Sequence, residues 1–236
     1  MGEGQHRGDR RRLWVGTAAA LVVLVALALV SVLGATRGTP SGGLNSTGGA
    51  SDSVTQARRI AGDPLVLGSP TAPVVIVEWG DFQCPFCGAF ARDTEPALLT
   101  QYVDAGKVRL EWRDFAYLGP ESVTAAVAAR AAGRQGKFWA YHDALYAQQH
   151  PENTGALSRG YLVGLARRLG LDLGRFQADL ADPSLARQVR ADQAEGSSLG
   201  VAGVPTFLIN GKLLFGAQPL SVYQQAIDTA LAGAQR

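Results

Sequence analysis

The chain has 236 residues, 47% of them hydrophobic, a formal charge of +2 at pH 7 and two cysteines. The first twelve residues hold Arg7, Arg10, Arg11 and Arg12 against Glu3 and Asp9; setting these aside leaves 18 basic and 18 acidic residues. No basic face emerges from that balance, so composition gives no support to a nucleic-acid-binding role.

Residues 1–12 read as a cytoplasmic N-terminus. The run 13–33 carries no charge, and Thr17 and Ser31 are its only hydroxyls. As a helix it spans about 31 Å, close to the hydrocarbon core of a bilayer. The arginines before it place 1–12 inside, so the bulk of the chain lies outside the cell membrane. A retained anchor is the favoured reading. A signal peptide competes with it, but the run is long for one and Leu33-Gly34-Ala35 gives no clean cleavage site. No cysteine adjoins the run, which rules out a lipid-anchored cysteine there. A flexible linker follows over 34–60, rich in Gly, Ser and Thr from 35 to 53, which cannot bury enough apolar surface to order itself.

The remaining 61–236 is long enough for one domain carrying an insertion. Residues 65–68 suggest a short edge strand. Val74-Val75-Ile76-Val77-Glu78-Trp79 reads as a buried central strand. A helix is expected from near Cys84 to about Ala105, with a possible bend at Pro96. Residues 108–113 alternate with period two and read as a strand. From about 121 to 199 the chain is rich in Ala, Leu, Arg and Gln at helical spacing. Breaks fall near Gly136, 151–155, 170–173 and 182–183, and four or so helices fit. Phe207-Leu208-Ile209 reads as a strand, Asn210-Gly211 as a hairpin turn and residues 212–215 as the return strand. A last helix is expected over 220–231, with Leu220, Tyr223, Ile227 and Leu231 as its apolar stripe.

Both cysteines fall in one motif, Cys84-Pro85-Phe86-Cys87, between the central strand and the first helix. A thiol at a helix start is favoured as an anion by the backbone N–H groups and the helix dipole. Dithiol–disulfide exchange is therefore the leading expectation. A structural disulfide would close a tiny loop for little entropic gain. Structural zinc wants more ligands, and His6, His142 and His150 lack helpful spacing. Haem attachment is excluded because Gly88, not histidine, follows Cys87. Two inert thiols remain the bland alternative. A second motif, Gly203-Val204-Pro205-Thr206-Phe207, places a proline at the mouth of a strand, where a cis Val204–Pro205 bond would be one specific reason for it.

The segment from Glu78 through Cys87, with Gly203 to Phe207 about 115 residues later, resembles the DsbA-like branch of the thioredoxin superfamily. The resemblance covers roughly Pro64 to the C-terminus. It implies an α/β thioredoxin fold with an inserted all-helical domain. It implies too that Val204–Pro205 is cis and lies beside the cysteines, in a loop that helps bind substrate peptide. Substrate contacts are then expected at Pro85, Phe86, Val204 and Thr206. An acid at the place of Glu78 is also implied, lying under the helix near Cys87 as a proton relay. The bland alternative for Glu78 is a partly exposed carboxylate paired with an arginine.

Cys84 is the expected exposed nucleophile and Cys87 the buried partner. Trp79, Phe82 and Phe90 read as core or rim aromatics, Asp81 as a loop or cap residue and His142 as a packed helix residue. The reading is an extracytoplasmic, single-pass thiol:disulfide oxidoreductase, foremost an oxidase acting on reduced or misoxidised secreted proteins. The redox group is the cysteine pair, so neither metal nor organic cofactor is required. The resemblance implies a membrane reoxidant, DsbB-like or vitamin-K-epoxide-reductase-like. A reductase or isomerase is the alternative within the class, and a non-catalytic peptide-binding or chaperone module the alternative outside it.

Overall fold

The computed structural model describes residues 56–234. The segments expected at 1–12 and 13–33, and most of the 34–60 linker, lie outside those residues. Among the described residues, no helix is long and apolar enough to cross a membrane.

Five strands form one sheet in the order β1-β3-β2-β4-β5. The strands are β1 (Val66–Leu67), β2 (Val74–Gly80), β3 (Val108–Asp114), β4 (Thr206–Ile209) and β5 (Lys212–Phe215). β2 and β3 run parallel; the other pairs are antiparallel. The parallel pair needs a crossover, and α1 over residues 85–103 supplies it. This helix alternates α and π turns: Pro85–Ala89, then π at Phe90–Thr94, then Glu95–Leu98, then π at Leu99–Val103. The sequence suggested a bend at Pro96. Pro96 lacks an N–H to donate, and the π turns stand on either side of its short α segment.

β2 is buried along its whole length because both of its faces are covered. Val74 and Ile76 join a core with Phe90 and Leu98 of α1 and with Tyr223 and Ile227 of α7 (Leu220–Ala234). Val75, Val77 and Trp79 face the other way, toward Phe115, Val201 and Leu208. Glu78 shares its register face with Val74 and Ile76 by the period-two rule of strands.

The insertion holds five helices where the sequence suggested four or so. They are α2 (Pro120–Gly133), α3 (Phe138–Ala147), α4 (Arg159–Arg168), α5 (Leu173–Ala181) and α6 (Pro183–Ser198). The four breaks read from the sequence are all present, and four breaks separate five helices. Gly136 and Gly170 take positive φ at two of them, and Ser158, Asp172 and Asp182 cap the helices that follow. α2 buries Ala125, Ala126, Ala128, Ala129, Ala131 and Ala132. Such small side chains let α3, α5 and α6 pack close around it.

β3 departs from simple alternation. Its charged face, Arg109, Glu111 and Arg113, is buried rather than solvated. Glu111 accepts from Arg109 at 2.6 Å and from Arg113 at 2.8 Å. The backbone N–H of Arg58 also donates to it, at 3.1 Å, so the chain already packs on the sheet before residue 61. A second buried network ties the insertion to the sheet. Arg130 of α2 pairs with both Asp114 of β3 and Asp192 of α6. Asp192 pairs further with Arg58 at 2.7 Å and accepts from the Asp114 N–H at 3.1 Å.

Candidate active site

β2 ends at Gly80 and β4 begins at Thr206, and the two strands are paired with Trp79 opposite Thr206. Both sequence motifs therefore arrive at the same end of the sheet. Gly80 is required there, since a Cβ would stand 2.2 Å from the Trp112 ring.

Cys84 is the N-cap of α1, with φ −69° and ψ 119°, and Pro85 is the first helical residue. Proline suits that position because its missing N–H is not needed there. Cys87 lies one turn in, fully buried. Both thiols are free. Val204–Pro205 is cis, and the Val204 carbonyl accepts from the Cys84 thiol at 3.5 Å. Pro205 is buried, with its own carbonyl held by the Gly216 N–H at 2.8 Å. Thr206 is buried and donates through its hydroxyl to the Gly203 carbonyl at 2.6 Å. Val204 is half-buried.

One expectation needs correcting. Cys84 is not exposed; only 4% of its surface is accessible. The turn 81–84 and the Val204 loop close over it, as its bond to the Val204 carbonyl shows. Exposure belongs instead to its neighbours: Pro85 is exposed and Phe86 is 64% exposed. Tyr117, 45% exposed, lies on the same side, close enough to feel charge on Cys84. The rings of Pro85, Phe86 and Tyr117 thus form the exposed surface around the covered sulfur.

The two thiols are driven apart. Cys84 is brought down from 9 to about 7 by a hydrogen bond from the Cys87 thiol, joined by the backbone N–H groups of Cys87 and Phe86; burial and Asp81 oppose this. Cys87 is pushed well above 9, chiefly by burial and then by its role as donor to Cys84. One sulfur is suited to carry charge, the other to hold a proton.

Glu78 is 1% exposed; among the described residues no arginine pairs with it and its Oε2 has no hydrogen-bond partner. Burial pushes its carboxyl up to about 8. Its charge also bears on the Cys87 thiol, as the smallest of the influences on it. A carboxyl raised on folding contributes its full stability below its ordinary value of 4.5 and loses it as pH rises through about 8. Glu78→Gln copies the neutral form. The variant is expected to match the parent near pH 4 and to exceed it near pH 9, by on the order of 5 kcal/mol. Urea melts at both pH values check this, and a variant weaker at both would contradict it.

Asp81, expected as a loop or cap residue, is one and does more: it accepts from the N–H groups of Gln83, Tyr117 and Leu118 and from the Ser122 hydroxyl at 2.6 Å. Three further residues that hold the site have no signal in the sequence. From the insertion, the Tyr146 hydroxyl donates to the Asp81 carbonyl at 3.0 Å. The Gln149 amide donates to the carbonyls of Cys84 at 2.8 Å and Phe82 at 3.3 Å. The Asn153 N–H donates to the Gln83 side chain at 2.7 Å. Nothing local marks Tyr146, Gln149 and Asn153, because each acts across 65 to 70 positions of sequence. Phe82 stacks on Trp112 at 5.2 Å, and Trp79, Phe82 and Phe90 are core residues.

A family model described as Thioredoxin matches residues 61–229. The probable disulfide bond formation protein D of Bacillus anthracis is 32% identical over 170 residues, covering 70% of this chain and 77% of that protein. The chain belongs to the DsbA-like branch of the thioredoxin superfamily. Among solved structures, oxidised BdbD from Bacillus subtilis superposes on this DsbA-like chain with a TM-score of 0.67 at 26% identity, covering 72% of this chain and 94% of that one. The Na(+)/H(+) antiporter NhaA 1 of Salinispora arenicola is 40% identical over 171 residues, 71% of this chain. The match spans only 25% of that antiporter's length, so its named transport activity is not carried over to this DsbA-like chain.

Proposed function

We propose that the chain is an exported, membrane-tethered thiol:disulfide oxidoreductase working as an oxidase of secreted proteins. The observation that carries this reading is the opposite displacement of the two thiols, Cys84 down to about 7 and Cys87 well up. A stabilised Cys84 thiolate favours the dithiol form, and a favoured dithiol makes the disulfide form a stronger oxidant. In the forward step a substrate thiolate attacks Cys84 Sγ of the oxidised pair. The Cys84–Cys87 bond breaks, a Cys84–substrate disulfide forms, and the electron pair leaves on Cys87 Sγ. Glu78, neutral below about pH 8, gives Cys87 its proton. A second substrate thiolate then attacks the substrate sulfur, and Cys84 departs as the stabilised thiolate.

The substrate rests on Pro85 and Phe86 and against the Val204-Pro205-Thr206 loop, whose placement beside Cys84 supports that role. The uncharged run 13–33 is the anchor, and it leaves the catalytic domain outside the membrane, where disulfides persist. Reoxidation of the dithiol falls to a membrane partner of the DsbB-like or vitamin-K-epoxide-reductase-like kind. The curated Bacillus relative named for disulfide bond formation supports the oxidative direction.

The test is transfer itself. Mixed with a reduced, unfolded secreted protein, the oxidised chain is expected to leave that protein with a disulfide and itself as the dithiol. Binding without any change in substrate thiols would contradict the oxidase and leave a peptide-binding module.

A further inference from the structure

Glu78 is sealed in the core together with Cys87, so the proton it gives must be replaced from solvent by some route. α1 supplies a second buried acid. Glu95 lies eight positions after Cys87. At about 100° per residue, an uninterrupted α-helix would turn Glu95 about 80° away from Cys87. The turn Phe90–Thr94 is π, with the Glu95 N–H reaching back five residues to the Phe90 carbonyl. It therefore takes in one extra residue. Discounting that residue leaves about 20° between the two, so both side chains leave α1 on its buried face.

Glu95 is 3% exposed, and its Oε1 has no hydrogen-bond partner. Charge on His142, Glu78 and Asp143 is felt at Glu95. A carboxylate oxygen of Glu95, a ring nitrogen of His142 and a carboxylate oxygen of Asp143 all lie within 4.8 Å of one another. The His142 ring is fully buried among aromatic rings, edge-on to Trp112 at 5.0 Å and to Tyr146 at 4.8 Å. Its Nδ1 bonds Asp143 Oδ1 at 2.8 Å, while its Nε2 has no partner. The Asp143 side chain is 71% exposed. Beside Glu95 lies a small apolar cavity of about 10 Å³, otherwise lined by residues such as Ile76, Leu98 and Phe207. The other titratable groups that feel charge on Cys87 or Glu78 include Cys84, Tyr117, Tyr146 of α3 and Tyr223 of α7.

We propose that Glu95 and His142 form a proton path between Glu78, beside Cys87, and the solvent-facing carboxylate of Asp143. This rests on the reading that Glu78 serves Cys87. When the Cys84–Cys87 bond breaks, the electron pair on Cys87 Sγ takes the Glu78 proton. Glu78 is refilled from Glu95, Glu95 from the His142 ring, and the ring from solvent at Asp143. No charge is left in the core and no oxidant beyond the enzyme's own disulfide is consumed. Burial holds Glu95 up to about 8, as it holds Glu78, so both acids are loaded near neutral pH. Glu95 and His142 act through Glu78 and are positioning residues for its proton.

The test is a single turnover of the oxidised full chain with reduced glutathione, followed by tryptophan fluorescence in H2O and D2O across about pH 5 to 9. Glu95→Gln and His142→Phe are each expected to slow reduction about tenfold, to enlarge the solvent isotope effect and to shift the upper inflection of the pH profile. Asp143→Asn sits on the surface and threatens no fold; about a threefold loss with the same isotope signature is expected from it. If Glu78→Gln slows the reaction while Glu95→Gln, His142→Phe and Asp143→Asn keep the parent rate, isotope effect and profile, the path is overturned and the role of Glu78 stands. If Glu78→Gln is itself without effect, both fall.

Discussion

Cys84→Ser is expected to abolish disulfide transfer, lowering the rate of oxidation of a reduced, unfolded protein by at least about 10³-fold. A serine hydroxyl neither ionises near neutral pH nor forms a disulfide. Cys87 cannot take over, because it is fully buried and its thiol is held well above 9. The converse variant behaves differently. Cys87→Ser keeps a reactive Cys84, so attack on a disulfide substrate proceeds to the mixed disulfide and stops, and a covalent adduct accumulates. Thiol counting and non-reducing electrophoresis distinguish the two. Transfer by Cys84→Ser within tenfold of the parent would place the chemistry elsewhere.

Asp192→Ala is expected to cost about 3–5 kcal/mol of stability, since removing one member of a buried charge cluster strands the others. Asp192 is the shared partner of Arg130 and Arg58 and accepts from the Asp114 N–H. Its loss leaves Arg130, a mostly buried guanidinium, with Asp114 and the uncharged Gln188 side chain. For a domain of this size, that corresponds to a fall of roughly 10 °C in Tm. Thermal melts followed by circular dichroism check it, and a change below about 3 °C would mean that water reaches the cluster.

Most of the architecture was legible because period and punctuation agree in this chain. The apolar run of β2, the glycines and aspartates between the helices of the insertion, and the Asn210-Gly211 turn each carry a local reason. The cysteine motif and Pro205 were legible as chemistry. What stayed hidden depends on distance in sequence. Arg109, Glu111 and Arg113 alternate as a solvated face would; their burial follows from residues 56–58 and from α6, which no local pattern reveals. Gln149 and Tyr146 reach the active turn from the insertion. The helix position of Cys84 is readable and suggests exposure, whereas the loop that covers it arrives 120 residues later. Glu95 was lost in an ordinary helical stretch, since its alignment with Cys87 depends on a π turn.

The central claim is that the fold stabilises the reduced pair by holding Cys84 as an anion. A lowered thiol stabilises the folded dithiol fully above its ordinary value of 9 and loses that contribution as pH falls through about 7. The direct measurement is the reduction potential of the Cys84–Cys87 couple, by equilibration with glutathione at neutral pH. The account predicts a couple clearly more oxidising than thioredoxin, above about −200 mV; a value at or below about −270 mV, that of thioredoxin itself, would contradict it.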